Sequence, residues 1–129
     1  MGQALSRSEA REVAYRVIFS GNPLFDVLDL ARDEKTVPAP EAEFIQRLVT
    51  AAQTEQAEID AQITAHLKDW TLSRLLKTDL AALRLAVAEM KLGLVPVPVI
   101  INEAVNLAKK YGDEHSGAFV NGVLAQIAG

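Results

Sequence analysis

The residues with the clearest capacity for chemistry are arginines near the start of the chain. Arg7 and Arg11 are one turn apart on a segment of helical periodicity, at the margin of its apolar stripe, whereas Arg16 points nearly opposite. A guanidinium offers forked donors that match phosphate oxygens, so Arg7 and Arg11 together read as a small cationic ridge suited to a nucleic-acid backbone. The same spacing also fits an ordinary solvated helix face paired locally with Glu9 and Glu12. Both readings stand on the residues alone.

Nothing comparable points to catalysis. His115 adjoins Ser116, but neighbouring loop residues rarely give base-to-nucleophile geometry, and no third group to orient the histidine is evident. The chain has no glycine-rich phosphate loop, no His-Glu-x-x-His and no His and carboxylate spacing suited to a metal. A non-enzyme without cofactor or metal is expected.

The elements that must hold these groups are helical throughout. Ser6-Arg7-Ser8-Glu9 fits a capping box, opening a helix whose stripe is Ala10, Val13, Ala14, Val17 and Ile18, ended by Gly21-Asn22-Pro23. Residues 1–5 read as a mobile tail. Asn22-Pro23 can open a short second helix with Leu24, Val27, Leu28 and Ala31 inward, followed by the connector Thr36 to Pro40. A long third helix starts near Glu41 and carries Phe44, Ile45, Leu48, Val49 and Ala52, with a bend or break expected near Glu58 to Asp60. Trp70 reads as an anchor covering the end of the bundle.

Thr78 can cap a helix facing Leu80, Leu83, Val87 and Met90 to the core, with Gly93 at its end. Arg84, on the shoulder of that stripe, is expected to be partly covered and paired with a carboxylate such as Glu103. Pro98 to Gly112 and Ser116 to Ile127 form the last two helices, with Gly112 as a left-handed stop and Ser116 as a cap. Asn102 and Asn121 fall inside these helices, where asparagine is a poor former. Buried hydrogen bonds to a neighbouring element are the expected compensation, and direct ligand contact is the alternative.

Length and composition fit this picture. With 129 residues, half of them hydrophobic, the chain can bury one core and is too short for two ordinary domains, so a single domain over residues 1–129 is expected. There are no cysteines, which excludes disulfides and thiolate metal sites. The most apolar run, Leu94 to Ile101, is too short for a bilayer and contains two prolines, so no membrane association and a soluble, cytoplasmic protein are expected. A balance of 13 Lys and Arg against 17 Asp and Glu gives a net charge of -4, so nucleic acid cannot be held by bulk charge. Any such binding must be local. The fold expected is an all-α, single compact bundle.

The C-terminal residues also carry a resemblance. Pro98, Ile101-Asn102-Glu103-Ala104-Val105, Leu107-Ala108-Lys109 and Tyr111, then Ser116 and Phe119-Val120-Asn121-Gly122-Val123-Leu124, resemble the signature of the NusB family of bacterial transcription antitermination factors. Ile59-Asp60, Trp70, Arg74, Asp79, Leu83-Arg84-Leu85-Ala86 and Glu89 fall in the same order and spacing, so the resemblance runs from about residue 6 to the end. The N-terminal domain of bacterial rRNA cytosine methyltransferases is similar, but it normally precedes a catalytic domain for which this chain has no room. Its last motif usually has Ala where Gly122 stands here.

The resemblance implies a bundle of about seven helices. It also implies pairing with NusE, a small ribosomal-subunit protein, binding of boxA RNA, and action on the transcription elongation complex during rRNA synthesis. By that resemblance Arg7 and Arg11 hold phosphates, and Phe119 is an apolar or stacking contact on the same surface. Asp79 and Arg84 match positions near the NusE-facing surface, and each also suits a structural role as helix-start carboxylate and ion-pair partner. Ser8 and Glu9 stand where family members often carry further basic residues, which implies weak RNA binding by the protein alone. The competing reading is a non-catalytic interaction module, possible as a homodimer, with little RNA affinity.

Overall fold

The computed structural model describes residues 4–21, 36–68 and 71–129. Helix α1 (Arg7–Ser20) opens on the expected capping box: the Glu9 amide donates to Ser6 Oγ at 3.1 Å, and the Ser6 amide donates to Glu9 Oε1 at 3.0 Å. Gly21 closes it at φ 67°, a left-handed conformation that costs glycine little. Then follow α2 (Ala39–Thr54), α3 (Gln56–Ala65), one turn of 3-10 helix (Leu72–Arg74), α4 (Lys77–Leu92), α5 (Val97–Tyr111) and α6 (Ser116–Ala128). The described residues form no β-strand beyond an isolated bridge between Ala4 and Thr36. The fold is all-α. The short second helix expected after Asn22 and the Trp70 anchor lie outside the described residues.

Helix α4 is the axle of the bundle. It packs on α1, α2, α3, α5 and α6, and residues 81–83 and 85–89 are all buried. Ala81, Ala82, Ala86 and Ala88 let neighbours approach on several sides, while Leu83, Leu85 and Val87 fill the space between them. Each of those larger side chains contributes about 1.5–3 kcal/mol by leaving water.

Several local expectations are corrected. The break in the long helix falls at Glu55, within the polar run Gln53 to Gln56, rather than at Glu58 to Asp60; its φ of -108° and ψ of 19° interrupt the helix for one residue. Thr78 does not cap α4, which starts at Lys77 with Leu76 at the cap position; the Thr78 carbonyl instead accepts the Tyr15 hydroxyl at 3.0 Å. Ser116 is the first residue of α6 rather than its cap, and its hydroxyl ties the preceding connector by accepting from the Asp113 amide at 2.9 Å.

Gly112 sits at φ -93°, so no left-handed stop is used. Space is what demands glycine there: a Cβ would collide with Ser116 Oγ and lie 2.8 Å from the Ala108 carbonyl. Ala4 and Leu5 do not belong to a free tail, since the Leu5 amide donates to the Thr36 carbonyl at 2.9 Å and Leu5 packs against the core.

Candidate nucleic-acid and partner interface

The cationic ridge read from the sequence lies at the start of α1, where α2, α4 and α5 converge. Arg11 does not stand on the surface; its side chain is 4% exposed and that of Glu89 only 1%. Arg11 Nε donates to both Glu89 oxygens at 2.9 and 3.0 Å, Nη2 donates to Oε2 at 2.8 Å, and Nη1 reaches Glu103 Oε1 at 3.3 Å. Burial opposes the charge on Arg11, but Glu89 and Glu103 more than offset that and raise its pKa above the ordinary value. The two-arginine ridge is therefore corrected: a buried carboxylate on the central helix needs a cation, and Arg11 supplies it.

Arg7 remains at the edge, with 39% side-chain exposure. Its Nε and Nη2 lie 2.9 and 2.7 Å from Glu41 Oε2, and its guanidinium stacks 4.2 Å from the Phe44 ring centroid. Ser8 Oγ donates to Glu103 Oε1 at 2.7 Å and fastens the same turn to α5. Farther along α1, Glu12 accepts from Lys110 at 2.8 Å, from Arg16 at 3.0 Å and from the Tyr111 hydroxyl. Burial opposes ionisation of Glu12, and these donors outweigh it to hold the carboxyl below its usual range.

A second assembly occupies the starts of α4 and α6. Asp79, in the first turn of α4, and Phe119, in the first turn of α6, line one open cleft of about 320 Å³. Leu75 and Leu76 complete its apolar wall; Arg74, Asp113 and His115 surround it. Asp79 is 5% exposed, and its Oδ1 is buried without a hydrogen-bond partner. Burial, helped by the Asp113 charge, raises its pKa, with the Ser116 hydroxyl offsetting only part of that. Leu76, at 45% exposure, leaves apolar surface at the rim. The structure thus brings Asp79 and Phe119 together and sets Arg7 on a different edge.

Arg84 belongs to neither assembly. The expected pair with Glu103 is corrected, because Arg84 donates in two-pronged fashion to Asp60 at 2.8 and 2.9 Å, fastening α4 to α3. The buried hydrogen bonds expected of Asn102 and Asn121 are corrected as well, because both residues are exposed on their helices.

Two kinds of residue escaped sequence reading. Glu89, a carboxylate among Ala86, Val87, Ala88 and Met90, carried a usable sign of a buried charge. Phe19, 49% exposed and off the apolar stripe of α1, was the corresponding sign of an exposed aromatic.

The cleft at the starts of α4 and α6 thus sets an unsatisfied carboxylate oxygen beside apolar surface, an arrangement that a binding partner can complete. The model of the NusB family matches residues 4–129. A transcription antitermination protein NusB from Agathobacter rectalis is 42% identical, covering 96% of this chain and 100% of that protein. Its counterpart in Staphylococcus haemolyticus is 38% identical over 95% of this chain and 99% of its own length. T. maritima NusB superposes with a TM-score of 0.86 at 33% identity, covering 99% of this chain and 92% of that one. A chain in the structure of antitermination factors NusB and NusE in complex with dsRNA gives 0.78 at 31% identity, with 94% of each chain covered. The chain belongs to the NusB family, whose members are transcription antitermination factors and not enzymes.

Proposed function

We propose that this protein, acting as a single domain in the cytoplasm, pairs with NusE and binds boxA-type RNA so that the transcription elongation complex resists termination in rRNA operons. The observation that carries the pairing is the cleft at the starts of α4 and α6. There a buried Asp79 oxygen lacks a donor, and Leu75 and Leu76 offer apolar surface beside it. A partner segment that brings an N–H donor and an apolar side chain satisfies both. Asp79 is the partner-binding residue in this scheme. Arg84 serves it indirectly by holding α3 against α4.

For RNA, Arg7 supplies the phosphate contact at the exposed edge and Phe119 a surface on which a base can stack. Arg11 acts from beneath, fixing the turn that carries Arg7.

The test is a salt titration of binding to boxA RNA and to a scrambled control, with and without NusE. NusE should produce tight, sequence-dependent binding, and Arg7→Ala should weaken it and flatten the logarithmic salt slope by about 0.7 for one lost contact. Equal, poor binding of both RNAs with NusE present contradicts the RNA role. A second reading draws on Leu94, Val97 and Val99, each exposed by 37% or more near the α4–α5 connector, which suits self-association. Sedimentation at rising concentration distinguishes it.

A further inference from the structure

The exposed asparagines point beyond the two assemblies. Asn102, Asn106 and Lys109 follow one another at helical spacing along the outward face of α5, and all are exposed. Lys109 leads to α6: a Cβ at Gly117 would lie 2.9 Å from its Cγ and 3.0 Å from its Cε, so its stem crosses the first turn of that helix. Asn121, one turn after Gly117, is exposed as well. Among the described residues no hydrogen bond reaches the Asn102 or Asn121 side chain, and Lys109 has no ion pair, whereas Lys110 is held by Glu12. The fold gains nothing from these amides, which are poorer helix formers than alanine.

We propose that the outward faces of α5 and α6 form an RNA track in which Asn102 and Asn121 read base edges and Lys109 holds a phosphate. This rests on the RNA-binding function above and extends it from the Arg7 edge. A primary amide presents a donor and an acceptor side by side, the pattern that matches the N6 and N7 edge of adenine. Single-stranded RNA exposes that edge. The unpaired cation between the amides favours a polyanion over a neutral peptide. The track adjoins the Arg7 turn across a groove between α1 and α5 lined by Ser8, Glu9, Glu12, Glu103, Asn106 and Lys110; its glutamates are turned to Ser8, Arg11, Lys110 and the Ser6 amide, which leaves the phosphate to Lys109.

The test measures anisotropy of labelled boxA-type RNA with NusE present, together with thermal midpoints. Asn102→Ala and Asn121→Ala should each weaken RNA binding roughly tenfold, the loss expected for one base-edge contact. Both should leave the midpoint unchanged or raise it, because alanine is the better helix former. Lys109→Gln should flatten the salt slope by about 0.7. Affinity changes below about twofold, with Arg7→Ala still weakening binding, overturn the track and leave the RNA function standing. Lower midpoints with unchanged affinity overturn it by making the amides structural. Loss of NusE binding with RNA affinity intact assigns the surface to protein and overturns it too. If the unaltered protein does not distinguish boxA from scrambled RNA, the RNA function fails and the track with it.

Discussion

The clamp at the start of α1 and the cleft at the starts of α4 and α6 handle buried charge in opposite ways. In the clamp, the buried Glu89 meets Arg11 through three hydrogen bonds of 2.8–3.0 Å, Glu103 bridges Arg11 and Ser8, and Glu41 takes Arg7. In the cleft, the buried Asp79 keeps an oxygen with no partner, beside apolar surface that stays open to solvent. Charge that the fold completes holds helices together. Charge that it leaves incomplete is the better guide to where another molecule sits.

The largest effect should come from breaking the clamp. Arg11→Ala strands a buried carboxylate and should cost about 3–5 kcal/mol in denaturant unfolding. The double replacement Arg11→Met with Glu89→Leu should cost far less, since it leaves no fully buried charge uncompensated, and Glu103, 22% exposed, keeps Ser8 and solvent. A small loss for the single variant removes the distinction between the two regions.

Next comes the pH response of the cleft. The raised pKa of Asp79 means that the folded state binds its proton more tightly than the unfolded chain does. That contribution is full below the unfolded value of 3.8 and is lost as pH rises through the folded value. Asp79→Asn should remove this slope and stabilise the protein at neutral pH by about 1–2 kcal/mol, read from melting curves across pH. Glu12 has the opposite sign: its depressed pKa gives stability above the unfolded 4.5 that is lost as pH falls through the folded value. Glu12→Gln should flatten the acid limb.

The smallest change should follow Ser8→Arg, which adds a cation beside Arg7 at the loss of the 2.7 Å bond to Glu103. Stability should drop by about 0.5–1.5 kcal/mol. The salt slope of RNA binding should steepen by about 0.7. An unchanged slope places the RNA away from this turn.

Helical periodicity carried most of the fold, because stripes such as Phe44, Ile45, Leu48 and Val49 mark their buried face without reference to neighbours. The Ser6–Glu9 capping box was legible for the same reason, being wholly local. What failed was long-range. Arg11 reads as a surface cation until Glu89, 78 positions away in sequence, is seen opposite it. Arg84 was matched to Glu103 and found Asp60, since spacing along one helix does not say which neighbour faces its shoulder. Asn102 and Asn121 were legible as anomalies, but only the fold showed them exposed. Asp79 and Phe119 came from resemblance, and their shared cleft came from the packing of α4 against α6.

In the function proposed above, NusE completes the unpaired carboxylate oxygen in the cleft. The direct measurement is calorimetric titration of NusE into the unaltered protein and into Asp79→Asn at pH 7, with thermal midpoints recorded for both. The variant should be the more stable of the two and should bind NusE roughly tenfold more weakly, having lost a charge-assisted hydrogen bond. Equal affinity for NusE, or a variant that melts earlier, contradicts this role of NusE.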